Sequence, residues 1–176
     1  HAVLSICNNG SANRNIYVNR QQEVSTLLRN TTVSSQYRSA IVNQKLRNEE
    51  LLYGMNGMSL FSSTNTESVE NFMKKLGCET GKNRYQYAGA TEVIDMLFGI
   101  KYLIYDTKML TSTYYQQVGT SESFTLCENT RALKNSFFVK GMNQMETLSG
   151  SNPFEVQNHL LNNLGVDSLY HMQDVT

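Results

Sequence analysis

TEVIDMLFGIKYLIYD, residues 91–106, changes its hydrophobic periodicity on either side of one glycine. Ile94, Leu97 and Phe98 fall on one side of a short helix that starts near Thr91 and is stopped by Gly99. KYLIYD then reads as a strand, and its near-continuous apolar character places it centrally, covered on both faces. A buried strand fed directly by an amphipathic helix needs a sheet with helices packed on it. This excludes a helical bundle or a closed barrel.

The flanking sequence repeats the theme. Upstream, Tyr17, Val24, Leu27 and Leu28 mark the inward face of a helix, and YRSAIVNQ from Tyr37 reads as a strand. In Tyr53–Gly77, YGMNGMSLFSSTNTESVENFMKKLG, Val69, Phe72, Met73 and Leu76 share one helix face. Thr64 and Glu67 form a capping box there, and Gly77 takes the left-handed position after the last turn. Downstream, YYQQVG and SFTLCEN flank a turn at Thr120–Glu122 as a hairpin, and SFFVKGM reads as another strand. The last helix has Asn152 as N-cap, Pro153 in its first position, Glu155 at the third and Gly165 at its end, with Val156, Leu160 and Leu164 inward. The expected fold is α/β or α+β, a mixed β-sheet packed by helices in one compact domain. The expected organisation is a flexible lead over residues 1–15, the domain over 16–166 and a loosely held tail over 167–176.

A chain of 176 residues suits one domain, and 15 Lys plus Arg balance 15 Asp plus Glu. Such a balance offers no field to attract nucleic acid, so no nucleic-acid partner is expected. No window approaches the ~20 apolar residues of a membrane span, so the chain as given reads as soluble. It opens at His1, without an initiator Met and with a short apolar piece at Ala2–Ile6, which reads as part of a larger protein. Cys7, Cys78 and Cys127 are widely spaced without a CxxC pair, and read as small buried thiols or at most one disulfide.

Catalytic signatures are missing. His1, His159 and His171 have no metal-ligand spacing, and no GxGxxG, Walker or GxSxG motif occurs, so neither a metal site nor a cofactor is expected. Cys127 has Glu128 beside it but no histidine tied to it, and it alternates with Leu126 as a strand residue would. Glu49 and Glu50, read in an extended segment, point to opposite faces and make poor acid–base partners. Asp95 and Asp106 stand alone and read as caps or solvated groups. No catalytic residue is assigned.

The candidate ligand surface is the glycine bend. Gly54 and Gly57 let the backbone turn or approach a neighbour closely. Tyr53, Asn56, Ser62, Ser63 and Asn65 set neutral donors and acceptors beside a helix N-terminus, which suits a polyol or a phosphate. The same hydroxyls also serve simply to cap and turn the chain. Glu128 and Asn129 are expected nearby. Tyr85 and Tyr87 alternate in YQY, sharing a strand face that can stack on a sugar ring or pack half-buried on a sheet.

Four phrases read in order, YGMNGMSLFSSTNTESVENFMKKLG, EVIDMLFGIKYLIYD, CENTRALKNSFFVKG and NPFEVQNHLLNNLG, resemble the YfhO family of bacterial polytopic membrane proteins over roughly Tyr37–Gly165. The resemblance implies a soluble extracytoplasmic domain attached to a membrane portion similar to GT-C glycosyltransferases. Those enzymes use lipid-linked sugars, and YfhO proteins are implicated in adding sugars to envelope polymers such as teichoic or lipoteichoic acid. The implied partners are the membrane-embedded portion of the same polypeptide and a cell-envelope glycopolymer or lipid-linked sugar. Two departures matter. Lys134 stands after Ala132-Leu133 where the family tends to have proline, and the acidic catalytic loop of GT-C enzymes is not in this sequence. The chain is therefore expected to be accessory rather than to transfer sugar alone, with a glycan- or protein-binding module as the alternative.

Overall fold

The helical spacing of Tyr17, Val24, Leu27 and Leu28 is realised in α1, Arg14–Arg29, which buries Arg20, Val24 and Leu27. The structure, a computed structural model, describes residues 14–29, 31, 35–88, 90–105, 114–139 and 147–171. The apolar start, Cys7, most of the loop expected over Asn8–Asn15, Asp106 and the end of the tail lie outside them. After α1 come β1 (Arg38–Ile41), a one-turn helix α2 (Glu49–Leu52), β2 (Leu60–Phe61) and α3 (Glu67–Lys75). They are followed by β3 (Glu79–Gly81), β4 (Arg84–Gln86), α4 (Glu92–Leu97), β5 (Ile100–Tyr105), β6 (Tyr115–Thr120), β7 (Thr125–Asn129) and α5 (Pro153–Asn163).

The main sheet has the order β1-β5-β7-β6. β5 runs parallel to β1 and antiparallel to β7, so KYLIY is interior, as its apolar run requires. A parallel pair needs a long crossover, and residues 42–99 supply it with three helices and a second, antiparallel sheet ordered β2-β4-β3. The side-chain alternation of β5 then divides the core. Leu103 and Tyr105 meet Met73, Leu76, Ile94, Val156 and Leu160 on one face, beneath α3, α4 and α5. Tyr102 and Ile104 meet Val24, Leu27, Tyr53 and Leu126 on the other, beneath α1. The result is an α+β domain with helices on both faces of a mixed sheet. Each fully buried Ile or Leu there contributes ~1.5–3 kcal/mol.

Local chemistry sets the ends of these elements. Asn152 accepts from the N–H groups of Phe154 and Glu155 at 3.0 and 3.1 Å, and Pro153 opens α5. Thr91 accepts from Ile94 N–H at 3.4 Å at the start of α4. The hairpin turn is tied to α1, because Glu23 accepts from Ser121 Oγ at 2.7 Å and from Ser123 N–H at 2.9 Å.

Several expectations need correction. Thr66, not Thr64, is the N-cap of α3, and it makes no side-chain cap bond. Thr64 belongs to a separate turn in which its N–H donates to Ser62 Oγ at 3.2 Å and Asn65 N–H donates to the Ser62 carbonyl at 3.1 Å. Of the apolar face predicted for α3, Met73 and Leu76 are buried, whereas Val69 and Phe72 remain 39% and 37% exposed at the margin of the core.

SFFVKGM is not a strand through Val139, and Phe137 and Phe138 are exposed. Asn135 turns the chain across the end of the sheet, donating from its N–H to the Gln36 carbonyl at 2.7 Å and accepting from Arg38 Nη1 at 3.1 Å. An apolar run without a ladder partner has no reason to extend as a strand.

Glu49 and Glu50 lie on α2 rather than in an extended segment, and both are wholly buried. Glu50 accepts from Ile41 N–H, Gln44 Nε2, Met58 N–H and Ser59 N–H at 2.9–3.1 Å, which explains the glycine at 57. A Cβ there would collide with the Glu50 carboxylate. Burial still holds Glu50 above the usual carboxylate range, against the pull of these donors.

Candidate active or binding cleft around Asp95

Asp95 stands four residues after the α4 N-cap Thr91, so both occupy one helix face, and that face looks toward the sheet rather than toward solvent. The aspartate is only 4% exposed. Its Oδ1 accepts from the Tyr87 hydroxyl at 2.8 Å, delivered by the chain leaving β4, and its Oδ2 accepts from the Tyr115 hydroxyl on β6. Burial pushes the carboxyl up to about 6; the two phenols partly oppose the shift, and the Glu92 charge adds to it. The same burial, with the Asp95 charge, raises the Tyr87, Tyr105 and Tyr115 hydroxyls far above their ordinary range.

These groups face a cleft of about 320 Å³. Tyr105 of β5, Phe154 of α5 and Tyr170 complete its aromatic wall. Tyr170 is held against α5 because Asn158 Oδ1 accepts from the N–H groups of Leu169 and Tyr170 at 3.0 Å, and Asn158 Nδ2 donates to the Tyr170 carbonyl at 2.7 Å. Its ring meets Phe154 edge to face at 5.0 Å. Thr91 donates to Gln157 Oε1 at 2.6 Å, and the wholly buried Gln157 donates to the Leu76 carbonyl at 2.7 Å, locking α4 to α5 beside the cleft. The Tyr105 and Tyr170 hydroxyls are buried without a hydrogen-bond partner. Together these make a volume suited to a small ligand, walled by rings, with the Asp95 carboxylate held in place by two phenols and Glu92 beside it. Among the described residues no three His, Cys, Asp or Glu side chains are grouped to share a metal ion.

A family model described as bacterial membrane protein YfhO matches residues 2–174. The chain belongs to the YfhO family. No curated protein and no solved structure matches it. Among the described residues of this YfhO chain, no helix is long and apolar enough to cross a membrane.

The residues singled out in the YfhO sequence do not converge on one place. Tyr53 is buried on the α1 side of the sheet and donates to Glu49 Oε1 at 2.8 Å, where Arg20 Nε also donates at 2.6 Å. Asn56 is exposed and donates to the Tyr37 carbonyl at 2.8 Å. Ser62 and Asn65 form the turn before α3, with Asn65 Nδ2 donating to Glu70 Oε1 at 3.0 Å, and Ser63 is exposed on that turn. Tyr85 sits half-buried in the small sheet, opposite Leu60 and Thr80. Tyr87 alone of these residues lines the Asp95 cleft. Glu128 pairs with Lys101 at 2.8 Å, and the buried Asn129 donates to the Ile100 carbonyl at 3.1 Å. Asn129 also borders a cavity of about 40 Å³ that shares Glu92 and Tyr115 with the cleft.

Asp95, Tyr105, Tyr115, Phe154 and Tyr170 were not among the residues predicted from sequence. One signal was present: a carboxylate inside the apolar turn VIDML, four residues from its cap, falls on the buried side of the helix. The cysteines Cys78 and Cys127 are free and buried, and burial lifts the Cys78 thiol to about 11, so neither is poised as a nucleophile.

Proposed function

We propose that this chain is the extracytoplasmic domain of a polytopic YfhO protein that adds sugars to cell-envelope polymers such as teichoic or lipoteichoic acid, and that it positions a reactant rather than performing the transfer. The family match across residues 2–174 carries the reading. The cleft supports the accessory role: its carboxylate is held by two phenols in a fixed place, an arrangement suited to orienting a ligand. The domain's partner is then the membrane-embedded portion of the same polypeptide, and its ligand is part of the envelope glycopolymer or of a lipid-linked sugar.

The cleft also favours a second reading, an extracellular glycan- or protein-binding module without a role in turnover. In-frame deletion of the domain from the full-length protein separates the two. The first reading requires the sugar content of the envelope polymer to fall. Intact sugar content with loss of partner or glycan binding establishes the second. Placement is tested by Ser63→Cys in the full-length protein: a membrane-impermeant maleimide should label intact cells, and labelling only after lysis overturns the extracytoplasmic assignment.

A further inference from the structure

We propose that the Asp95 cleft binds a small organic cation, a substituted ammonium group carried on an uncharged body. The proposal rests on the reading of the cleft as the domain's ligand site and names the chemistry that site selects.

The first observation is a charge without a counter-charge. Asp95 is 4% exposed, and its partners are the hydroxyls of Tyr87 and Tyr115. Among the described residues no Lys, Arg or His lines the cleft, and Asp95 forms no ion pair. Buried charges in folded proteins are ordinarily paired, because an unpaired one loses its hydration with nothing in return. Two neutral phenols supply hydrogen bonds but no positive charge, and each carboxylate oxygen keeps a lone pair for a further partner.

The second observation is the wall. Tyr87, Tyr105, Tyr115, Phe154 and Tyr170 surround the space, and aromatic faces attract ammonium groups through their quadrupole. The third is Tyr105, only 5% exposed, which lines the cleft while its hydroxyl is buried without a hydrogen-bond partner among the described residues. The Tyr170 hydroxyl is buried in the same way, so a rotation of either side chain is what would bring its hydroxyl to the uncharged body of a ligand.

The alternatives fit less well. A phosphate or carboxylate would face Asp95 and Glu92 with no basic side chain among the described lining residues. A neutral pyranose could stack on the rings but would leave the Asp95 charge uncompensated.

The test is calorimetric titration of the 176-residue chain at neutral pH with choline, with its uncharged isostere 3,3-dimethyl-1-butanol and with glucose. The expected result is saturable choline binding, with the isostere at least ~10-fold weaker, about 1.4 kcal/mol. Asp95→Asn should weaken choline by a similar factor. Phe154→Ala, at a half-exposed position that leaves the sheet intact, should also weaken it. Equal binding of choline and its isostere, or glucose binding that survives Asp95→Asn, overturns the cationic ligand while leaving the cleft a ligand site. Absence of binding by all three probes overturns the cation proposal and the reading of the cleft together.

Discussion

The Tyr115 hydroxyl donates to Asp95 Oδ2 across 20 residues of sequence, joining strand β6 to helix α4 at the bottom of an aromatic cleft. The relationship fixes a carboxylate inside the domain, and its ionisation is linked to stability.

Asp95 has its pKa raised from 3.8 to about 6 by burial. A raised acid binds its proton more tightly in the folded state, so its contribution is most favourable below the unfolded pKa. That contribution is lost as pH rises from about 4 to about 6. The shift corresponds to at most about 3 kcal/mol. Urea unfolding at pH 4 and pH 7 should therefore show Asp95→Asn gaining stability relative to the parent as pH rises. A difference that is flat with pH would mean that Asp95 is not desolvated in the folded state.

Arg20 on α1 pairs with the wholly buried Glu49 on α2 at 2.6 Å and stacks over the Phe124 ring at 4.7 Å. Arg20→Ala leaves that carboxylate buried and without its cation, and should cost about 3–5 kcal/mol in chemical denaturation. A loss below about 1 kcal/mol would show the pair to be solvated.

The two glycines of the bend differ in kind. Gly57→Ala drives a methyl into the Glu50 carboxylate and should cost about 1–3 kcal/mol through overpacking. Gly54 has open space but φ of +72°, so Gly54→Ala should cost about 1–2 kcal/mol through backbone strain alone. Crystal structures of the two variants would show displacement of Glu50 only in the first.

Asn56 and Ser62 serve the scaffold through the Tyr37 carbonyl and the Thr64 N–H. Asn56→Ala and Ser62→Ala should each lower stability by about 0.5–1.5 kcal/mol. An unchanged melting temperature, combined with weaker polymer glycosylation by the full-length protein, would instead make the glycine bend a ligand surface.

Local chemistry was legible in the sequence. The caps Thr91 and Asn152, the interior strand β5 and the hairpin all follow from spacing within about a dozen residues. SFFVKGM misled because an apolar run does not reveal whether a neighbouring strand has a free edge to receive it. Glu49 and Glu50 misled because a buried carboxylate depends on distant donors: Arg20 precedes Glu49 by 29 residues, and Ser59 follows Glu50 by nine. The cleft was illegible for the same reason. Tyr87, Asp95, Tyr105, Tyr115, Phe154 and Tyr170 come from separate elements, and only the crossing of β5, β6, α4 and α5 brings them together.

The most direct measurement introduces Asp95→Asn into the full-length membrane protein and quantifies the sugar carried by envelope polymers in cells. The variant removes a charge while keeping the shape of the side chain and the tyrosines around it. The account predicts a clear fall in polymer-bound sugar with the protein present in the membrane at parental abundance. Parental sugar content at that abundance would contradict a role for the Asp95 cleft in envelope glycosylation.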